Sequence, residues 1–149
     1  MPRRIAIASD HAGYDYKTRI AALLSEWGYQ VVDFGVDSTE SSDYPDYARV
    51  AAAAVAEGNA ELGILICGSG IGVCMVANKV RGIRAANCLT EEMAQLARDH
   101  NDANILTLGE RLVDWATVPG IVRTFLTTDA STLEKHRRRV GKIDSLTDC

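Results

Sequence analysis

Short apolar runs alternate with longer amphipathic segments along this chain. The runs are apolar almost throughout and predict five strands, at 5–8, 30–34, 62–66, 84–88 and 105–108. The other segments carry apolar residues at helical spacing and predict helices at 16–27, 46–57, 70–79, 90–99, 113–126 and 132–146. Apolar strands that alternate with helices are typical of a parallel sheet covered on both faces. The expected fold is an α/β domain, a three-layer α/β/α Rossmann-like sandwich with about five parallel strands.

Length and composition indicate one globular unit. The 149 residues contain no linker and no repeat, so residues 1–149 are predicted to form a single domain. Apolar residues make up 47% and charged residues 24%, which is usual for a soluble protein. No apolar run approaches the roughly 20 residues of a membrane helix, and the N-terminus lacks the features of a signal peptide. We expect a cytoplasmic protein that does not bind membranes.

Charge is distributed unevenly. The net charge is −4, but residues 134–142 hold five Lys or Arg side chains and one acid, which is +4 and leaves −8 for the rest. A basic segment on an acidic body predicts a local anionic partner. It argues against a nucleic-acid surface, for which basic residues would be spread over one face.

The four cysteines show no metal-binding or redox spacing. Cys67, Cys74, Cys88 and Cys149 form no CxxC pair, so neither a metal site nor a disulfide framework is predicted. Each is a candidate for a buried thiol or a reactive one. Cys74 lies within a predicted helix and Cys88 within a predicted strand, which favours the buried role for both.

Polar residues follow the predicted strands. Asp10 and His11 come just after the first strand, where ligands bind in such sheets, although Asp10 could simply cap the next helix. Cys67 ends the third strand and precedes the loop 68–72, which has alternate glycines and opens a helix. Free N–H groups at a helix start favour an anion and the thiolate form of a nearby cysteine. Cys67 could equally be a buried structural cysteine.

Two further groups carry polar chemistry. His100 and Asn101 lie at a helix end before the fifth strand, and Arg111 follows that strand. These residues can cap and make turns, or they can reach a strand-end cleft, where a histidine is a suitable proton-transfer group. Lys135 and Arg139 are spaced i, i+4 on the last helix, as either a solvated face or a phosphate clamp.

In this order and spacing, the segments resemble the ribose-5-phosphate isomerase B family, which includes allose-6-phosphate isomerase and the galactose-6-phosphate isomerase subunits. The resemblance covers nearly the whole chain. It rests on Ser-Asp-His-Ala-Gly at 9–13, Asp-Tyr-Pro at 43–45, Ile-Cys-Gly-Ser-Gly-Ile-Gly at 66–72, Ala-Asn-Lys at 77–79, Gly-Ile-Arg at 82–84, His-Asn-Asp-Ala-Asn at 100–104 and Arg-Arg-Val-Gly-Lys-Ile at 138–143.

The resemblance implies residue roles. Cys67 is implied as the general base at C2, since Val73 stands where a second branch of the family has a glutamate. His100, helped by Asp10, is implied to open the furanose ring. The enediolate oxygen would be stabilised by the Ser69 hydroxyl and by backbone N–H groups of Gly68, Gly70, Ile71 and Gly72. Tyr44 and Asn101 are implied to position the substrate, and the phosphate would be held by His11, Arg111, Lys135 and Arg139.

The resemblance also implies an assembly. The last helix, 132–146, would reach the neighbouring subunit, so a homodimer or tetramer with composite active sites is expected. No cofactor or metal is implied, because proton transfer through an enediol needs none. Lys135 stands where most members have arginine, which keeps the charge but loses the bidentate fork. A 6-phosphate hexose isomerase, and a sugar-phosphate sensor without catalysis, are the alternative functions.

Overall fold

A computed structural model describes residues 3–147 and consists of five strands and six α-helices. The strands are β1 (Arg4–Ser9), β2 (Gln30–Asp33), β3 (Leu62–Cys67), β4 (Ala85–Asn87) and β5 (Ile105–Gly109). The helices are α1 (Tyr14–Glu26), α2 (Tyr44–Ala56), α3 (Ile71–Ala77), α4 (Glu91–Asn101), α5 (Val118–Thr127) and α6 (Glu134–Ser145). Single 3-10 turns at His11–Gly13 and Trp115–Thr117 precede α1 and α5.

All five strands are parallel and follow the order β2-β1-β3-β5-β4, which confirms the predicted fold class. The chain goes from β1 outward to β2, then returns to place β3 on the other side of β1. Connections therefore leave β1 and β3 in opposite directions. In such sheets this switch point opens a crevice at the carboxyl ends of the strands.

The two faces of the sheet pack different residues. Ile5 and Ile7 of β1 face a core formed with α1, α4 and α5. Ala6 and Ala8 face the alanine-rich α2 together with α3. Successive side chains of a strand point to opposite faces, so the large and small residues of β1 alternate as the period requires. In β3 the same alternation turns Cys67 toward α2 and α3.

The start of α5 differs from the prediction. The sequence pattern predicted a helix over 113–126, but the helix begins at Val118, with Pro119 in its first turn. Proline lacks an N–H and is tolerated only in the first turn, so Pro119 fixes the start there. Asp114 instead accepts a hydrogen bond from the Ala116 N–H and caps the preceding 3-10 turn.

Helix α6 lies outside the sandwich, and none of its described residues is buried. It is joined to the body through Arg84, which pairs with Asp144 at 3.4 Å. The segment before it is tied to α4 by a hydrogen bond from the Ser131 N–H to the Asp99 carbonyl. The apolar side chains of Leu133, just before the helix, and of Ile143 within it remain 56% and 41% exposed, so a single chain leaves this helix without a full apolar contact.

Candidate active site

The switch point between β1 and β3 opens into a cleft, here called the carboxyl-edge cleft. Its volume is about 570 Å³. It is lined by Asp10, His11, Ala12, Tyr44, Cys67, Gly68, Ser69, Ile71, Gly72, Met75, Arg111 and Leu112. Most of the sequence-predicted site residues that follow β1, β3 and β5 therefore come together in one place.

Cys67 lies at the base of this cleft as the last residue of β3 and is only 4% exposed. Its Sγ accepts a hydrogen bond of 3.2 Å from the Gly70 N–H. The loop can turn back onto the sulfur because Gly70 has a φ of +77°, which side-chain-bearing residues rarely adopt. A Cβ at position 70 would also lie 2.6 Å from Asn87 Oδ1. The loop therefore presents an N–H donor to the Cys67 sulfur.

The hydroxyl of Ser69 also faces this loop. Its Oγ accepts a hydrogen bond of 3.1 Å from the Ile71 N–H, and the hydroxyl hydrogen stays available to donate. Thr107 of β5 donates its hydroxyl to the Gly70 carbonyl at 2.9 Å and anchors the loop from below. Thr107 is fully buried and was not foreseen, because nothing in a strand sequence marks a hydroxyl that serves a neighbouring loop.

The other thiols differ from Cys67 in their surroundings. Burial raises the pKa of Cys74, whose Sγ lies 3.6 Å from the Ala85 carbonyl oxygen. Burial raises the pKa of Cys88 to about 11. Cys88 directly follows β4 rather than lying within it, and Cys149 lies outside the described residues. Cys67 is the cysteine that lines the cleft among residues 3–147. Val73 is buried in the same apolar cluster, so position 73 offers no acidic side chain beside the thiol.

Asp10 and His11 form the wall on the β1 side. Asp10 is buried, and its Oδ1 accepts hydrogen bonds from the Ala12 and Gly13 N–H groups at 3.0 and 3.2 Å. The capping role considered from the sequence is therefore present, and the carboxylate also lines the cleft. His11 Nδ1 accepts from the Ser42 N–H at 3.1 Å, while Ser42 Oγ accepts from the His11 N–H. This reciprocal pair leaves His11 Nε2 as the nitrogen that can face a ligand.

Tyr44 and Arg111 complete the cleft from the two sides. The Tyr44 ring packs against Gly72, where a Cβ would lie 2.7 Å from the ring Cζ. The Arg111 guanidinium lies over Gly68, with Nη1 3.2 Å from the position of a Cβ there. Arg111 makes no ion pair within residues 3–147, so its charge is available to an anion.

Glu110, the residue before Arg111, bonds to the backbone of α1 and does not line the cleft. Its Oε1 accepts the Tyr16 N–H at 2.7 Å and fixes the start of α1. Burial raises the pKa of the Glu110 carboxyl.

His100 and Asn101 lie elsewhere. They occupy the last turn of α4, and β5 begins only four residues after it, at Ile105. A residue that precedes a parallel strand lies at the opposite edge of the sheet from residues that follow one. The five residues of β5 span about 16 Å at roughly 3.3 Å each, so His100 and Asn101 lie far from Cys67 in the same chain. The expectation that His100 faces the same strand-end cleft therefore does not hold within one chain.

A second polar region forms at that amino edge, here called the α4–α6 region: His100, Asn101, Lys135, His136 and Arg139. Arg84 holds it together by bonding the Asp102 carboxylate at 3.2 Å and Asp144 of α6. Asn101 lines a cavity of about 430 Å³ beneath α6. Lys135 and Arg139 are exposed and make no ion pair or side-chain hydrogen bond within the part of the chain that is described.

This arrangement is typical of a Rossmann-like protein that binds a small anionic ligand, because a buried thiol, backbone N–H donors and an arginine without an ion pair among residues 3–147 share one cleft. Residues 5–143 match the family model described as Ribose/Galactose Isomerase. The chain belongs to the ribose/galactose isomerase family and is an aldose–ketose isomerase. No described helix is long and apolar enough to cross a membrane.

Individual relatives agree with the family match over almost full length. Ribose-5-phosphate isomerase B of Escherichia coli (strain K12) is 42% identical over 144 residues, which cover 97% of this chain and 96% of that protein. The structure of the Trypanosoma brucei type B ribose 5-phosphate isomerase superposes with a TM-score of 0.95 at 45% identity, covering 99% and 100% of the two chains. Mycoplasma genitalium ribose-5-phosphate isomerase B, solved with bound ribulose-5-phosphate, gives a TM-score of 0.91 at 42% identity, covering 96% and 95%.

Proposed function

We propose that this protein interconverts ribose 5-phosphate and ribulose 5-phosphate through an enediolate, with Cys67 as the general base. The observation that carries the proposal is the Cys67 sulfur in the carboxyl-edge cleft, bonded by the Gly70 N–H and flanked by Arg111 and His11. Similar proteins are named for that substrate, and one was solved with the ketose bound.

The proton transfer follows from the chemistry of the cleft. The Cys67 thiolate removes the proton from C2 of the open-chain aldose, the C1–C2 double bond forms, and O1 becomes an oxyanion. The Ser69 hydroxyl and the N–H groups of the loop 68–72 are the nearby donors for that oxygen. The proton then returns to C1, and O2 becomes the carbonyl of the ketose once its own proton has moved to O1.

Substrate binding would use the cations. His11 and Arg111 line the same cleft as Cys67, and Tyr44 lies across the loop from them. A phosphate held by Arg111 on one side and by Lys135 and Arg139 on the other would receive three positive charges. The last two lie on α6, at the other edge of the sheet.

We propose that each site is completed by a second chain in a homodimer. In this arrangement, His100, Asn101, Lys135 and Arg139 of the partner subunit enter the cleft that holds Cys67. The sheet topology supports this, because the two groups lie at opposite edges of one chain. Exposed apolar residues also flank both groups. At the cleft, Ile71, Met75 and Leu112 are 48%, 64% and 63% exposed. At the start of α6 and within it, Leu133 and Ile143 are 56% and 41% exposed. Asp10 and His100 could then open the furanose ring together across the interface.

The test compares sugar phosphates side by side. Purified protein is assayed with ribose 5-phosphate, allose 6-phosphate and galactose 6-phosphate, and proton exchange at C1 is followed in deuterated water. We expect turnover with ribose 5-phosphate to be fastest. Faster turnover of a hexose phosphate would reassign the substrate, and binding without turnover of any of the three would indicate a sensor.

A further inference from the structure

The rings of His100 and His136 are stacked in the α4–α6 region. Their centroids are 4.3 Å apart and their planes are inclined by 33°. His100 lies in the last turn of α4 and His136 in the first turn of α6, so the pair joins two helices. His136 Nδ1 is buried and has no hydrogen-bond partner among residues 3–147.

The stack is the main restraint on the His100 ring. Its Nε2 lies 3.6 Å from Asp99 Oδ2, which is longer than a hydrogen bond. No side-chain hydrogen bond within the described chain holds this imidazole, and its side chain is 46% exposed. A ring at a helix end is otherwise free to rotate, whereas proton transfer requires a group that is held in place.

The charges around the pair favour a neutral His136. Burial lowers the pKa of His136, and the positive charges of His100, Lys135 and Arg139 lower it further, against the opposing effect of Asp99. A cavity beside the two imidazoles is also lined by Arg84, Arg137 and Asp102, the last of which lies between α4 and β5. His136 can therefore act as an uncharged flat ring beside His100.

We propose that His136 is the positioning residue for sugar-ring opening: its imidazole fixes the plane of His100, which transfers the proton to or from the ring. This inference rests on the proposed function, in which His100 opens the furanose ring. It assigns to His136 no contact with substrate. A merely structural His136 would instead hold α6 in place and act through Lys135 and Arg139, which grip the phosphate.

The two directions of the reaction separate these roles. Ribose 5-phosphate is mostly a closed furanose and must be opened. Ribulose 5-phosphate cannot form a furanose, since its O5 carries the phosphate, so its proton transfer needs no prior opening. A defect in ring opening therefore lowers kcat from ribose 5-phosphate more than kcat from ribulose 5-phosphate. A defect in the phosphate grip raises KM for both.

The experiment compares His136→Ala, which removes the stacked ring, with His136→Phe, which keeps a flat ring that cannot titrate. Lys142→Ala is the control, because Lys142 is an exposed cation of α6 outside the α4–α6 region. We expect His136→Ala to lower the forward kcat about tenfold to a hundredfold, as misplacing a catalytic group typically does, with the reverse kcat within about threefold. His136→Phe should restore the forward kcat to within about threefold of wild type.

NMR provides an independent readout of the stack. The ring protons of His100 should lose their ring-current shift in His136→Ala and keep one in His136→Phe, and circular dichroism confirms that both variants fold. Three outcomes would each overturn the positioning role. They are an equal loss of kcat in both directions, an unchanged kcat in His136→Ala, and a folded His136→Phe whose forward kcat is as low as that of the alanine variant. If the wild type does not turn over ribose 5-phosphate, the proposed function fails and the inference fails with it, whereas the NMR shifts still report the stack.

Discussion

The carboxyl-edge cleft and the α4–α6 region are built in opposite ways. In the cleft, Cys67 and Asp10 stand at strand ends, are nearly fully buried, and are held by backbone N–H groups. In the α4–α6 region, His100, Lys135 and Arg139 are exposed side chains on helix surfaces, anchored at a distance by Arg84. The cleft supplies a buried thiol and backbone N–H donors, whereas the other region supplies exposed cations and an imidazole. Each region supplies what the other lacks.

The largest effect is expected in the cleft. Cys67→Ala should leave folding and substrate binding almost intact and lower kcat by about 100- to 10,000-fold, the usual contribution of a positioned acid–base group. Cys88→Ala is the matched control, because it removes a buried thiol whose raised pKa of about 11 keeps it neutral. Steady-state kinetics of both variants decide the matter. A Cys67→Ala enzyme with more than about a tenth of wild-type kcat would rule out this base.

Mixing variants tests whether the two regions meet across an interface. Cys67→Ala damages the cleft, and Arg139→Ala damages the α4–α6 region. After subunit exchange at equal ratio, about half of the dimers contain both chains, and each of these has one intact site of two. At substrate concentrations well below KM, roughly a quarter of wild-type activity should therefore return.

The matched control for the mixing experiment places both lesions in one region. Cys67→Ala mixed with Arg111→Ala leaves a damaged cleft in every site and should recover nothing. His100→Asn mixed with Cys67→Ala should recover activity as Arg139→Ala does. No recovery with either α4–α6 variant, despite exchange verified by mass spectrometry, would show that each chain completes its own site.

A smaller effect concerns the phosphate. Lys135→Ala and Arg139→Ala should each raise KM about tenfold to a hundredfold, since a hydrogen bond to a charged group contributes about 1.5–3 kcal/mol. Lys142→Ala, which removes a cation of the same helix, should leave KM unchanged. KM measured at two salt concentrations provides the check. Unchanged KM in both variants would mean that this helix face is only solvated.

The smallest effect is a loss of stability at the amino edge. Asp102 pairs with Arg84 and with the buried Arg98, both at 3.2 Å. Its φ of +46° is tolerated by asparagine, so Asp102→Asn removes the charge and keeps the backbone. We expect a loss of about 1–2 kcal/mol in urea unfolding, because Asp102 is partly exposed and its ion pairs are screened. The rate at which Cys67 reacts with a thiol reagent should not change, and a change would show that the two regions are coupled within one chain.

Much of the fold was predictable because the strand signal here is strong. Apolar runs such as 62–66 have few interpretations. The helix predicted at 90–99 also begins within one residue of the observed start of α4, where the Thr90 hydroxyl accepts the Met93 N–H at 3.1 Å. The start of α5 was missed because apolar spacing continues through Val113, and only Pro119 marks the boundary. Periodicity reports which residues are buried, and it does not report where a helix can begin.

The candidate site was predictable only for residues whose position after a strand fixes where they lie. Residues that follow β1, β3 and β5 must meet at one edge, so Asp10, Cys67 and Arg111 could be grouped from sequence. His100 precedes β5, and this order already indicates the opposite edge, although its chemistry suggested the cleft. The Ser42 contact to His11 and the stack of His136 on His100 join segments distant in sequence, and no local pattern announces either.

The placement of the two regions at opposite edges of one sheet has a genetic consequence. If each site draws on both chains, lesions in the cleft and lesions in the α4–α6 region fall into two complementation groups within a single gene. Two defective alleles, one from each group, would support growth together where neither does alone. After duplication of the gene, one copy could lose Cys67 and the other His100, and natural selection would then retain the pair as an obligate heteromer.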